Sequence, residues 1–230
     1  MTPLTACKLA ALIYEDWDAC KAEAALLGFD GFEYWDHADT QAMLVHNAAE
    51  AALVFRGTEA RKARWRDLVS NFGYPVVWAG EGRVHSGYLH HFNRIRDEAL
   101  RAAMATPSCP HVVGHSMGGC LATLFAAWAS ITPARLWTFG APKALDLKAT
   151  AAIHCPISRY VNNRDFAPHW PPVPGLIHPA RAIEIDSGGW PGPVTRHGTG
   201  RYLAALERLR PPRSPRRSLR RSQGSAYLDP

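Results

Sequence analysis

The stretch that most limits what this chain can fold into is "HVVGHSMGGCLATLF", from His111 to Phe125. Val112 and Val113 are apolar and β-branched, as a buried strand requires, and the run from Leu121 onward is apolar and helix-compatible. Between them Gly114-His115-Ser116-Met117-Gly118 fits G-x-S-x-G. In that pattern a serine sits on a tight strand-to-helix turn with its hydroxyl raised above a sheet. A side chain two residues before or after the serine would collide with the turn, so glycine is required at both places. Gly119 lets the helix pack close, and the helix amino end adds partial positive charge where an oxyanion would form. The pattern alone is weak; the strand before it and the helix after it give it weight.

The rest of the chain supplies a frame for such a turn. Apolar positions at helical spacing (Leu9, Leu12, Ile13, then Leu26 and Leu27) predict a helix or helix pair over 5–27. "AMLVH" at 42–46 and "AALVF" at 51–55, separated at Asn47, predict a hairpin or two adjacent strands. Residues 86–104 are helix-like and end before Pro107 and Pro110. Strand 111–114, helix 117–130 and strands 135–139, 157–161 and 182–186 follow, with a last helix over 199–209. Strands alternating with helices predict an open, mostly parallel α/β sheet flanked by helices. Reactive side chains in such sheets stand at the carboxyl ends of the strands.

A serine nucleophile needs a base and an acid that orients it, in the order Ser, Asp or Glu, His on this kind of sheet. Asp165, in "RYVNNRDFAPHWPP", follows the strand at 157–161; Asp146 and Asp186 also follow strands. Downstream histidines are His169, His178 and His197. His169 lies four residues after Asp165 in a proline-rich loop and fits a wall better than a base. His178 precedes Pro179 and fits a structural role. His197, in "VTRHGTGRYL", stands in a glycine-bearing loop before the last helix, from which a base can reach back over the sheet. The oxyanion needs the N–H of the residue after the nucleophile, Met117, and a second donor from another loop. "ALVFRGT" ends a strand in Gly57-Thr58, where the backbone can come close and Thr58 can add a hydroxyl.

Taken in order, "FRGT" (55–58), "WRDL" (65–68), "VHSGY" (84–88), "VVGHSMGGCLATL" (112–124), "TFGAPK" (138–143) and "RYVNNRDFAPHWPP" (159–172) resemble the lipase class 3 family, the fungal-type triacylglycerol lipases. The resemblance implies an α/β-hydrolase fold, a triad of Ser116, Asp165 and His197, an oxyanion hole at Thr58 and Met117, and no metal or other cofactor. It also implies a small ester or acylglycerol substrate, with phospholipase or acyl-transfer chemistry open to the same triad. One departure is Arg196, where members often carry an acid directly before the histidine.

The family's lid would fall in "EARKARWRDLVSNFGY", just after Thr58. Trp65, Leu68, Val69 and Phe72 form one apolar face among Arg61, Lys62, Arg64 and Arg66. Such a helix can touch a lipid surface, but an ordinary packed helix is the expectation. The lid tip, 59–64, lacks a large apolar residue. That predicts weak interfacial activation and a preference for dispersed short- or medium-chain esters.

At 230 residues the chain is long enough for one sizeable domain, expected over 1–207, with 208–230 as a tail. Between Glu207 and the last residue lie seven arginines against Glu207 and Asp229, which is +5 of the net +6. The globular part is nearly neutral. "PPRSPRRSLRRSQGSAYLDP" (211–230) predicts a disordered, solvated tail, the one feature that could attract nucleic acid or anionic lipid as in a binding module. Cys7, Cys20, Cys109, Cys120 and Cys155 are scattered and fit no metal-binding spacing. Reduced, mostly buried thiols and a start without a basic leader point to a cytoplasmic setting. Oligomeric state is left open.

Overall fold

The computed structural model describes residues 1–57, 76–80, 82–189 and 192–209. Two capped helices begin the chain. Thr2 Oγ1 accepts from the Thr5 N–H at 3.1 Å ahead of Pro3, opening α1 (Pro3–Leu12). Asp16 Oδ1 accepts from the Ala19 N–H at 2.9 Å, opening α2 (Trp17–Leu26). An antiparallel meander follows: β1 (Gly31–His37), β2 (Thr40–His46) and β3 (Ala51–Phe55). Beyond the hairpin β4 (Val76–Ala79) and β5 (Gly82–His85) come α3 (Ser86–Ala105), β6 (His111–His115), α4 (Met117–Trp128) and β7 (Arg135–Phe139). The remaining elements are β8 (Leu145–Asp146), α5 (Leu147–Thr150), β9 (Ile157–Asn162), a 3-10 turn (Ala167–His169), β10 (Leu176–Ile177), β11 (Ala182–Ile185), α6 (Pro193–Arg196) and α7 (Thr199–Arg208).

The main sheet runs β1-β2-β3-β6-β7-β9-β11, and every pairing from β3 onward is parallel. Its central strands read as unbroken apolar runs because both faces are covered. Leu53, Phe55, Val112 and Leu136 pack on one face with Phe92 and Ile95 of α3 and Leu121 and Phe125 of α4. Ala52, Val54, Val113 and Trp137 alternate to the other face, against Leu9 of α1, Ile13 just after it, and Tyr202 and Leu206 of α7. Each buried Leu, Val or Phe contributes about 1.5–3 kcal/mol, so this two-sided core is what holds the strand ends, and the loops on them, in place.

The elements expected over 5–27, 42–46, 51–55, 86–104, 111–114, 117–130, 135–139, 157–161, 182–186 and 199–209 are all present, with ends shifted by a few residues. The strand β1 was not expected, nor was the second sheet, ordered β10-β8-β5-β4. β1 is an edge strand whose Glu33 and Asp36 interrupt its aromatics, and the strands of the second sheet are two to four residues long. The second sheet's strands are too short for a period to show, and in β1 the two acids fall three residues apart and so break the alternation. "WRDL", the lid stretch 59–74 and tail residues 210–230 lie outside the described residues; Arg208 closes α7. Among the described residues no helix is long and apolar enough to cross a membrane.

The register Phe55↔Gly114 brings the end of β3 against the serine turn. A Cβ on Gly118 would stand 2.1 Å from the Phe55 carbonyl oxygen, which is backbone and cannot swing aside. Gly118→Ala is therefore expected to cost about 3 kcal/mol of stability, read as a lower urea midpoint. An unchanged midpoint would show that α4 can slide away from β3.

Candidate active site

Ser116 stands between the last residue of β6 and the first of α4, with φ 55° and ψ −129°. That region is sparsely populated for a residue with a Cβ and costs of order 1–3 kcal/mol. Hydrogen bonds hold it there: the Ser116 N–H donates to Phe139 O at 3.0 Å, and Ser116 O accepts from the Gly119 N–H at 2.9 Å. Gly114 and Gly118 face each other across the turn, where a Cβ on Gly114 would lie 2.1 Å from Gly118 O. The collision argued from the motif is thus a real one.

Asp165 and His197 reach this serine from the next strands. Asp165 follows β9 in a turn closed by its own N–H on Asn162 O at 2.9 Å, and His197 caps the carboxyl end of α6. His197 Nε2 lies 2.8 Å from Ser116 Oγ. On the other side of the ring, Nδ1 is 3.1 and 3.0 Å from the two Asp165 carboxylate oxygens. All three residues are buried. Nδ1 facing a carboxylate must carry the ring proton, which leaves Nε2 with a lone pair aimed at the serine hydroxyl.

The Asp165 carboxylate has two further donors. Tyr202 of α7 gives its hydroxyl proton to Oδ2 at 2.5 Å, and the Ala167 N–H donates to Oδ1 at 2.9 Å. Burial pushes the Asp165 pKa up, but the bonds from His197, Tyr202 and Ala167 outweigh it and hold the carboxyl below its ordinary value of 3.8. A depressed carboxyl pKa stabilises the fold at all pH values above the ordinary one, and that stability is lost as pH falls through the folded value. Tyr202→Phe removes a donor, so acid unfolding is expected to move to higher pH, followed by circular dichroism. An unmoved acid midpoint would mean that the tyrosine does not hold the carboxylate ionised.

Asp146 and Asp186, weighed as alternatives to Asp165, are engaged elsewhere. Asp146 caps α5 through the Ala149 N–H at 2.9 Å and pairs with Arg83 at 3.4 Å. Asp186 pairs with Arg196 at 3.0 Å. His169 is exposed on the 3-10 turn. His178 donates from Nε2 to Pro168 O at 2.7 Å, and burial pushes its pKa down to about 4. It braces the loop after Asp165.

Arg196, the departure beside His197, serves the loop. It is buried, donating from Nη1 to Asp186 and from Nη2 to Gly189 O at 2.9 Å. Its own carbonyl accepts from Asn162 Nδ2 at 2.9 Å. Met117 is the first residue of α4, at the amino end of the helix. Thr58, named with it for the oxyanion, lies outside the described residues. Among the described residues no group of three His, Cys, Asp or Glu side chains could hold a metal ion.

Sequence reasoning missed Tyr202, Asn162 and Gly140. Gly140, at the end of β7 with φ +61°, lets the site close: a Cβ there would lie 2.7 Å from Asp165 Oδ2 and 2.8 Å from Tyr202 Oη. Its position in "TFGAPK" is a signal for close approach, and a strand-terminal asparagine is one for bracing a loop. Tyr202, alone in an amphipathic helix, offers no signal apart from the fold.

Comparison with known proteins gives a consistent picture. The family model Lipase (class 3) matches residues 52–175, more than half of the chain. A lipase of Rhizopus niveus is 31% identical over 157 residues, covering 59% of this chain and 38% of that protein. A lipase of Rhizomucor miehei is 30% identical over 159 residues, 61% of this chain and 43% of that one. The chain thus spans less than half the length of these curated relatives. Among solved structures, one described as a triacylglycerol lipase with a serine protease triad matches with TM-score 0.62 at 24% identity, covering 81% of this chain and 79% of that one. A Rhizomucor miehei lipase–propeptide complex matches with TM-score 0.61 at 19% identity, over 90% and 76%. These likenesses, with the mostly parallel sheet between two helical layers, make the fold an α/β-hydrolase fold.

Proposed function

The chain belongs to the lipase (class 3) family, and on that premise we propose that it hydrolyses carboxylic esters through an acyl-enzyme on Ser116. The observation that carries the reading is the 2.8 Å contact of His197 Nε2 with Ser116 Oγ while Asp165 holds Nδ1. His197 takes the serine proton as Oγ attacks the ester carbonyl, and Asp165 stabilises the imidazolium that forms. The Met117 N–H and Thr58 receive the oxyanion, at about 3–4 kcal/mol per donor. The imidazolium then protonates the departing alcohol, and water, deprotonated by the same ring, releases the acid.

The substrate class is acylglycerols or other short- to medium-chain esters presented in solution. Support for the lipid side of this reading comes from the relatives, which are named lipases. Support for dispersed rather than aggregated substrate is the charged stretch 59–64 after Thr58. The five unpaired cysteines support placing the protein in a reducing compartment.

A fluorophosphonate label and a p-nitrophenyl ester series from acetate to palmitate test the reading together. We expect stoichiometric labelling at Ser116 and turnover highest for the shorter chains. A large rate increase above the solubility limit would contradict the dispersed-substrate part. Absence of both label and turnover would overturn the whole.

A further inference from the structure

His115 occupies a free position of the G-x-S-x-G pattern, and nothing in the reaction just described uses its side chain. It is buried, and its ring centroid lies 4.6 Å from that of His197. Its two nitrogens have different partners. Nε2 lies 2.6 Å from the His197 main-chain carbonyl, which can only accept, so Nε2 carries a proton. Nδ1 lies 2.9 Å from the Tyr14 hydroxyl. Burial, and after it the neighbouring His197, push the His115 pKa down to about 3. The ring is therefore neutral, Nδ1 has a lone pair, and Tyr14 is the donor to it.

Tyr14 touches a second part of the machinery. A Cβ on Gly57 would stand 2.2 Å from the Tyr14 hydroxyl, so that hydroxyl rests directly against Gly57. The Arg56 guanidinium lies over the Tyr14 ring, 5.4 Å from its centroid. One phenol thus contacts Gly57 on one side and, through His115, the main chain of the base on the other.

We propose that Tyr14 and His115 are positioning residues for His197, a two-bond relay anchored just after α1 that aims the base at Ser116. This rests on the ester-hydrolase reading above. Two successive carbonyls of the base loop are gripped: that of Arg196 by Asn162 from the end of β9, and that of His197 by His115 from the end of β6. With both fixed, the short helix α6 cannot rotate the imidazole away from the serine. Small errors in that aim are costly, because a displacement of about 1 Å can lower a rate about a hundred-fold. The relay also needs His115 to be neutral. A cation 4.6 Å from the His197 ring would oppose the imidazolium that forms during the reaction. Tyr14 enforces the neutral Nε2–H form by occupying Nδ1 as a donor.

The test is steady-state ester hydrolysis by the full chain in wild type, Tyr14→Phe, His115→Leu, His115→Gln and the Tyr14→Phe/His115→Leu pair, with melting curves for each. Tyr14→Phe deletes one oxygen and is expected to lower kcat about ten-fold with KM nearly unchanged and the melting temperature lowered by only a few degrees. His115→Leu is expected to lose about a hundred-fold, and His115→Gln, which restores an N–H donor toward the His197 carbonyl, to recover most of it. Because Tyr14 acts through His115, the pair should be no worse than His115→Leu alone. Full kcat in Tyr14→Phe overturns the proposal, as do additive losses in the pair or no recovery by glutamine. A wild type that neither labels nor turns over overturns the ester-hydrolase reading and this proposal with it. A wild type that does both while Tyr14→Phe matches it overturns this proposal alone.

Discussion

Ser116→Ala is expected to lower kcat for p-nitrophenyl ester hydrolysis by about 10⁵–10⁶-fold, with KM nearly unchanged and fluorophosphonate labelling abolished. The substitution removes one oxygen from a buried side chain, and alanine leaves the ring of His197, its carboxylate and the helix end where they are. What disappears is the atom that forms the acyl bond. The residual rate should be that of water in a site that still binds and polarises the ester, about 10³–10⁴ above the uncatalysed reaction. Alanine still has a Cβ at φ 55°, so the backbone strain persists and the melting temperature should move little. A variant within ten-fold of wild type would mean that the measured hydrolysis happens elsewhere on the protein or in a contaminant.

Asp165→Asn should come next, at about 10⁴-fold in kcat. The amide can turn its NH₂ toward His197 Nδ1, which places the ring proton on Nε2 and leaves no lone pair for the serine. The surroundings worsen this. Both carboxylate oxygens lie against Nδ1, and each accepts from one further donor, the Ala167 N–H at Oδ1 and the Tyr202 hydroxyl at Oδ2. Whichever place the amide nitrogen takes, it faces the ring and deprives one of those donors of its acceptor. Kinetics alongside labelling would separate this from loss of the nucleophile. The fluorophosphonate should still react, at a rate reduced in proportion to kcat. Labelling at the wild-type rate would show that Asp165 does not govern the protonation of the base.

The sheet was legible in the sequence where strands are buried on both faces. "ALVF" is apolar throughout and "HVV" ends in two β-branched residues, and glycine or proline marks the ends of the neighbouring helices. The serine turn was legible because its demands fall within five residues of one another. Asp165 could be placed at a strand end, yet Asp146 and Asp186 met the same local description. Only the pairing of those two with Arg83 and Arg196 separates them, and the partners are 63 and 10 residues away in the chain. Tyr14 and Tyr202 were illegible for the same reason: their hydroxyls meet the site across 101 and 37 residues of sequence. Nothing in a short window distinguishes them from other half-buried or buried aromatics.

The site draws its parts from nearly the whole length of the chain, and this bears on when activity can arise during synthesis. Of these parts Tyr14 is made before the serine turn, then come the carboxylate and, 81 residues after the nucleophile, the base. At about 5–20 residues per second, that interval lasts roughly 4–16 s. Throughout it the nascent chain carries the nucleophile without its base. Tyr202, which steadies the acid, belongs to α7, and α7 packs on α1, which is made well before the serine turn. A late-made part of the site thus packs on an early one, and a chain cut short before His197 lacks the base that faces Ser116.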